Sequence, residues 1–260
     1  MRSILVSGEA GPGTEVRLQA ALGLARSFGA HLTVLFSLPV SRYVAFDGIG
    51  GSYIVGDALE QARKDEDEAV AALEQRLTRE GVPFDLVRSE EEPGAALASA
   101  ARLADLVVLS RSGPIAGDVA MMGQVPVLAL PDEGHVVLPP RRACIGWNGG
   151  DEAAAAVRAA VPLLVNCETV EVIRIAEKPG GFPGTDVLRY LSRYGIRAEL
   201  KEVEPDGSVE ETLALAVKQA RADLLVIGAY GKSRLREYLF GGVTAHFLQH
   251  EASPPLLLIH

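Results

Sequence analysis

Three glycines near the end of the chain are spaced as a phosphate-holding loop needs them. Gly228 and Gly231 lie three apart, Gly241 follows after nine intervening residues, and Gly242, Val243 and Thr244 come directly behind. Glycine lets the backbone take positive φ and lets a ligand approach the main chain closely. A strand that runs into such a loop and then into a helix points free N–H groups at an anion. The run before it, Leu224 to Ile227, is short, apolar and β-branched enough for a buried strand. A tight turn followed by a helix C-cap would use the same glycines, so the spacing alone leaves both readings open.

A second polar group can be brought to the same place. Gly146-Trp147-Asn148-Gly149-Gly150-Asp151 follows a strand at Ala143 to Ile145 and leads into an alanine-rich helix. In open α/β sheets ligands sit beyond the C-terminal strand ends, where strand order reverses. If these two strands are neighbours there, Asn148 and the Gly228 loop converge on one crevice. The Asn148 side chain offers an acceptor and two donors, suited to a ribose or a base edge. An Asx turn or an N-cap is the competing use of an asparagine in that position.

Three sharper chemistries fit less well. Gly231-Lys232-Ser233 has the tail of a P-loop, but the pattern needs a glycine five residues before Gly231, where Val226 stands. His246 and His250 are spaced for one helix face and could suit zinc, yet no third ligand accompanies them. Asp65-Glu66-Asp67-Glu68 reads as a solvated helix face, because adjacent helical residues point in different directions. No Ser/His/Asp or Cys/His set stands out, so a catalytic role is not expected.

The elements around these residues alternate between strand and helix. Ile4 to Val6 is a strand, and Thr14 is the expected N-cap of a helix to about Phe28, stopped by Gly29. Its inner side is Val16, Ala20, Leu22 and Leu24. A strand from His31 to Phe36 precedes a surface excursion over 39–56, and Asp57 to Arg79 forms a charged amphipathic helix. Strands at Pro83 to Arg88, Asp105 to Leu109 and Pro126 to Leu130 complete a five-strand unit. Such alternation predicts a mostly parallel sheet covered on both faces.

After a turn-rich junction, Pro131 to Arg142, the pattern starts again. Ala104-Asp105-Leu106-Val107-Val108-Leu109 recurs as Ala222-Asp223-Leu224-Leu225-Val226-Ile227, and Pro126 to Leu130 recurs as Pro255 to Ile259. Arg2 to Ala10 matches Arg142 to Gly150. The chain is a tandem duplication, divided at 1–138 and 139–260, with a period far beyond that of solenoid repeats. Between the last two matched segments the second copy is longer, and the extra length falls in the glycine loop and the helix behind it.

Composition narrows the functional classes. With 25 basic and 34 acidic residues among 260, the net charge is −9, which disfavours a nucleic-acid partner. No apolar run reaches the ~20 residues of a membrane span, and Met1 leads straight into a strand without a signal-peptide core. A soluble cytoplasmic protein is expected, with Cys144 and Cys167 as core thiols rather than a disulfide.

At Gly228 to Thr244 the chain resembles the universal stress protein family, whose nucleotide-binding members carry G-x2-G-x9-G-[ST]. Gly228, Gly231 and Gly241 reproduce the spacing, Gly242 replaces the Ser/Thr, and Thr244 matches a second hydroxyl position. The Ala-Asp strand, the Pro strand and the first-strand segments extend the likeness over the whole chain, as a tandem two-domain member. The resemblance implies two flavodoxin-like (adenine nucleotide alpha hydrolase-like) domains, each a five-stranded parallel sheet of order 3-2-1-4-5. It also implies an adenine nucleotide, ATP in the first instance and accompanied by Mg2+, bound in the C-terminal half. The implied contacts are Asn148, Gly149, Ile175, Gly228, Gly231, Lys232, Ser233, Gly241, Gly242, Val243 and Thr244. The family's first-strand Asp falls on Asn148 here and on Glu9 in the first copy. The implied role is regulatory: nucleotide binding orders the loop and alters a surface for a protein partner. The halves are expected to pack as an intrachain pseudo-dimer through their last strands, which leaves a homodimer open. The alternative is an interaction and dimerisation module of the same fold that binds no nucleotide.

Overall fold

The computed structural model describes residues 1–46, 52–176, 182–229, 242–250 and 253–260. Its first half runs β1 (Ser3–Ser7), α1 (Thr14–Phe28), β2 (His31–Ser37), β3 (Val44–Phe46), β4 (Ser52–Ile54), α2 (Gly56–Glu80), β5 (Phe84–Ser89), α3 (Pro93–Ala100), β6 (Leu106–Ser110), α4 (Ile115–Met122) and β7 (Val127–Leu130). The second half runs β8 (Arg142–Gly146), α5 (Asp151–Leu164), β9 (Thr169–Ile175), α6 (Gly184–Ser192), β10 (Ala198–Val203), α7 (Val209–Ala220), β11 (Leu224–Gly228), α8 (Gly242–Gln249) and β12 (Leu256–Ile259). The 1–138 and 139–260 division falls in the connection between β7 and β8.

Each half forms a parallel sheet of the expected order, β5-β2-β1-β6-β7 and β10-β9-β8-β11-β12. The two sheets join edge to edge into one ten-stranded sheet. The seam, β7 against β12, is antiparallel, with Leu256 opposite Ala129, Leu257 opposite Leu128 and Leu258 opposite Val127. Joining there removes the two apolar strand edges that would otherwise lie open to other chains.

Residue alternation along the strands divides the core into two layers. Ile4, Val6, Leu128, Leu224, Val226 and Leu257 face one layer, covered by α1, α2, α5 and α6. Leu5, Val127, Ala129, Leu225, Ile227 and Leu256 face the other, covered by α3, α4, α7 and α8. Both layers run across the seam, which is also held by a side chain. Arg111, 4% exposed, reaches from the end of β6 and donates from Nη1 to the Ser253 carbonyl at 3.0 Å and to those of Phe247 and Pro254 at 3.4 Å.

The repeated Ala-Asp pair has a definite job. The Asp105 carboxylate accepts from the backbone N–H groups of Arg2 and Ser3, and Asp223 accepts from those of Arg141 and Arg142 at 3.1 and 2.9 Å. Each aspartate thus pins the start of the first strand beside the fourth. This equivalence corrects the expected first-strand match by one residue: Ser3 corresponds to Arg142, with Ile4 opposite Leu106 as Ala143 is opposite Leu224. Asp105 is held below the usual carboxylate range, first by the Arg2 N–H and then by that of Ser3.

Other expectations shift locally. Thr14 is not the N-cap of α1; Gly13, at φ +75°, takes that place. Thr14 instead ties the loop to the helix: its hydroxyl accepts from the Gly11 N–H at 2.9 Å and lies 2.8 Å from the Gly11 carbonyl. The excursion over 39–56 contains a 3-10 turn at Val40–Tyr43 and the β3–β4 hairpin. Asp67 of the acidic run on α2 pairs with Arg88 at 2.5 Å and Glu66 lies 3.6 Å from the same guanidinium, as a solvated face allows. Both cysteines are free thiols, and burial pushes Cys144 up to about 12 and Cys167 up to about 11. No helix among the described residues is long and apolar enough to cross a membrane.

Candidate functional site

The first and fourth strands of the C-terminal half, β8 and β11, are direct neighbours, and a cavity of about 130 Å³ opens where they end. Asn148, Ile175, Gly228 and Val243 line it together, from four separate segments of the chain. Trp147 and Leu213 form part of its apolar wall. The crevice expected from the strand order is therefore present, with four of the expected residues in it.

Local packing explains why each wall stands where it does. A Cβ on Gly228 would lie 2.5 Å from the Ala153 backbone nitrogen and the Glu152 carbonyl carbon, so only glycine lets the strand end meet the first turn of α5. A Cβ on Gly146 would lie 2.9 Å from Ile227 and 3.3 Å from Leu213. Gly149 has φ +78°, the left-handed region that turns the chain toward α5. The Asn148 side-chain carbonyl accepts from the Gly150 N–H at 2.9 Å, an Asx turn. That turn uses the carbonyl and leaves the two amide donors unspent by it. Trp147, 5% exposed, donates from its indole N–H to the Phe182 carbonyl at 3.0 Å, fixing the wall.

The remaining expected residues are distributed unevenly. Gly242 opens α8 and is exposed, while Thr244 is buried in the same first turn, 3% exposed, and does not line the cavity. Gly231, Lys232, Ser233 and Gly241 lie outside the described residues. His246 and His250 have ring centroids 5.2 Å apart, and no metal-holding group of His, Cys, Asp or Glu occurs among the described residues.

Three helix N-termini, those of α5, α7 and α8, come to this end of the sheet, each presenting the positive end of its dipole. The first turns of α5 and α7 carry their own acids, Asp151 and Glu152, and Glu210 and Glu211. The first turn of α8 carries none. The contribution of α7 to the wall was missed from sequence, although Ser208 and Glu211 form a capping box that marks its start.

The equivalent place in the N-terminal half is bordered by a buried arginine. Arg17 of α1, 4% exposed, donates from Nε to the Ser7 carbonyl at 2.9 Å, from Nη2 to the Glu9 carbonyl at 2.6 Å, and from Nη1 to the Ser110 hydroxyl. Ser110 corresponds to Gly228, and Gly13 to Glu152. A Cβ on Gly13 would lie 2.6 Å from the Ser110 Oγ. The close contact between helix start and strand end is kept in both halves, with the glycine moved to the other side. Glu9, in the place of Asn148, is half-buried; burial raises its pKa, against the lowering influence of Arg42 and Arg17.

Residues 189–260 match the family model described as universal stress protein family. No curated protein matches the chain. Among solved structures, a universal stress protein from Archaeoglobus fulgidus DSM 4304 superposes with a TM-score of 0.76 at 13% identity, over 99% of this chain and 96% of its own. A functionally unknown protein from Pseudomonas aeruginosa PAO1 superposes with a TM-score of 0.66 at 16% identity, over 100% of this chain and 92% of its own. A half-length universal stress protein from Archaeoglobus fulgidus in complex with dAMP is 26% identical over 49% of this chain and 95% of its own, with a TM-score of 0.35. The family model at the C-terminal end, joined to the fold shared along the whole length, bears out the resemblance to the universal stress protein family.

Proposed function

We propose that the C-terminal half binds an adenine nucleotide, ATP in the first instance with Mg2+, in the crevice between β8 and β11, and that binding serves regulation in a stress response rather than turnover. The observation that carries this reading is the convergence of Asn148, Ile175, Gly228 and Val243 on one cavity. An apolar cleft with a few polar groups suits a base. Asn148 presents amide donors to it, and Ile175 ends the strand whose backbone would meet the ring. The first turn of α8 carries no acidic residue of its own, as suits a helix N-terminus that faces a phosphate. On this reading the bound nucleotide acts as a signal to a protein partner.

Equilibrium titration of the purified chain with labelled ATP and Mg2+ tests the reading, with Ile175→Glu as the control. Saturable binding that the substitution abolishes, in a variant that unfolds like the wild type, supports it. No binding up to millimolar nucleotide refutes it. The second reading, an interaction module without a ligand, draws on the N-terminal crevice, where the buried Arg17 ties β1 and β6 together through the protein's own hydrogen bonds.

A further inference from the structure

Of the described side chains that line the C-terminal cavity, only those of Trp147 and Asn148 carry a polar group. The protein itself sets what each can offer. The Trp147 indole N–H is spent on the Phe182 carbonyl at 3.0 Å. The Asn148 side-chain oxygen is spent on the Gly150 N–H at 2.9 Å and lies 3.1 Å from where a Gly150 Cβ would be, so it is turned toward the start of α5. Because the group it meets is a backbone donor, the branch on that side must be the oxygen, which fixes the amide's orientation. The NH2 branch makes no hydrogen bond among the described residues. The side chains of the cavity therefore hold donors for a ligand and no acceptor.

On the reading that the crevice takes an adenine nucleotide, we infer that Asn148 selects the base: it donates to purine N3 and rejects a purine with a 2-amino group. Adenine has three polar edges. Two of them, N6 with N7 and N6 with N1, set the 6-amino donor beside an acceptor, whereas the N3 edge is an acceptor alone. A group that can only donate is matched by the N3 edge and faces a donor at either of the others. An asparagine with both branches free pairs with N6 and N7, so the Asx turn decides which edge is read. Guanine adds an amino group beside N3. That group would set donor against donor at Asn148 and leave both without a partner. The aspartate that the family resemblance places here would keep the turn with one oxygen and offer the other as an acceptor. The preference would then reverse.

The test is a calorimetric titration of the full chain with adenosine, 3-deazaadenosine, 2,6-diaminopurine riboside and 2′-deoxyadenosine, on the wild type and on Asn148→Asp. The wild type is expected to bind adenosine about tenfold tighter than 3-deazaadenosine, which lacks the acceptor, and than the diaminopurine riboside, which adds the donor. In Asn148→Asp the diaminopurine riboside should bind tighter than adenosine, and the penalty on 3-deazaadenosine should vanish. The wild-type ratios stand alone as a test if the variant fails to fold. Equal binding of 3-deazaadenosine and adenosine by the wild type overturns the inference and leaves the crevice assignment standing. So does a folded Asn148→Asp that does not favour the diaminopurine riboside. A loss with 2′-deoxyadenosine that Asn148→Asp cancels also overturns it, because the amide would then be reading the ribose. Failure of adenosine itself to bind the wild type refutes the nucleotide reading, and this inference with it.

Discussion

The two halves of the chain build the same five-strand sheet and line its central crevice with different chemistry. In the N-terminal half a buried arginine spans it, hydrogen-bonded to two carbonyls and a serine hydroxyl. In the C-terminal half the corresponding strand end is Gly228, the helix comes close, and a cavity of about 130 Å³ is left. The N-terminal side has a comparable cavity of about 140 Å³, but its wall includes Arg17, Glu9 and three serines, where the C-terminal wall has Trp147, Leu213, three isoleucines and two valines beside Asn148. One fold thus supports a polar plug or an apolar slot, and the choice is made by a few residues at strand ends. Function resides in the site and not in the sheet.

The plug should be the more costly of the two to break. Arg17→Met removes donors from two buried carbonyls and one hydroxyl, and buried acceptors left without partners carry much of the penalty. A loss of about 3 kcal/mol in urea unfolding is expected. A loss under about 0.5 kcal/mol would mean that the arginine is not a structural plug. The slot gives the next effect. Gly228→Ala drives a Cβ into the first turn of α5, and overpacking of that kind costs about 1–3 kcal/mol. Ser110→Gly, at the equivalent position, meets no such clash and should cost less, mainly the hydroxyl that Arg17 uses. If the two substitutions were equally costly, the exchange of glycine between the two sides of the contact would carry no meaning.

Charge offers smaller effects of opposite sign. Asp105 has a lowered folded pKa, so its contribution is present above its unfolded value and is lost as pH falls through the folded one. Asp105→Asn should flatten the acid limb of the stability curve below about pH 4. Glu9 has a raised folded pKa because it is buried, so ionising it opposes folding. Stability should fall as pH rises from its unfolded value to its folded one and stay lower above. Glu9→Gln should therefore be more stable than the wild type at neutral pH, by a few tenths of a kcal/mol. Denaturant midpoints measured from pH 3 to pH 8 check both signs together, and a shared sign would contradict the assigned causes.

Much of this contrast could be read in the sequence, and the unread part has a physical explanation. The strands were legible because Leu106 to Leu109 and Leu224 to Ile227 are continuous apolar runs behind the same Ala-Asp pair. Their order followed from the repeat and the family resemblance. Asn148 and Gly228 follow from glycine-rich turns behind apolar runs, whereas Ile175 came only from the family resemblance. Arg17 was not singled out, because a charged residue one turn into a helix reads as a surface position until the partner carbonyls of Ser7 and Glu9 are in place. Thr14 was misread as a cap because Gly13 and Thr14 are both good N-cap candidates, and only the positive φ at Gly13 separates them.

A crystal of the full chain soaked with an adenine nucleotide and Mg2+ tests the central contrast directly. The account predicts one nucleotide per chain, its base between Asn148 and Ile175 and its tail toward Gly228 and Gly242, with the Arg17 hydrogen bonds intact in the other half. A nucleotide in the N-terminal crevice with Arg17 displaced, or density at neither crevice, would contradict it.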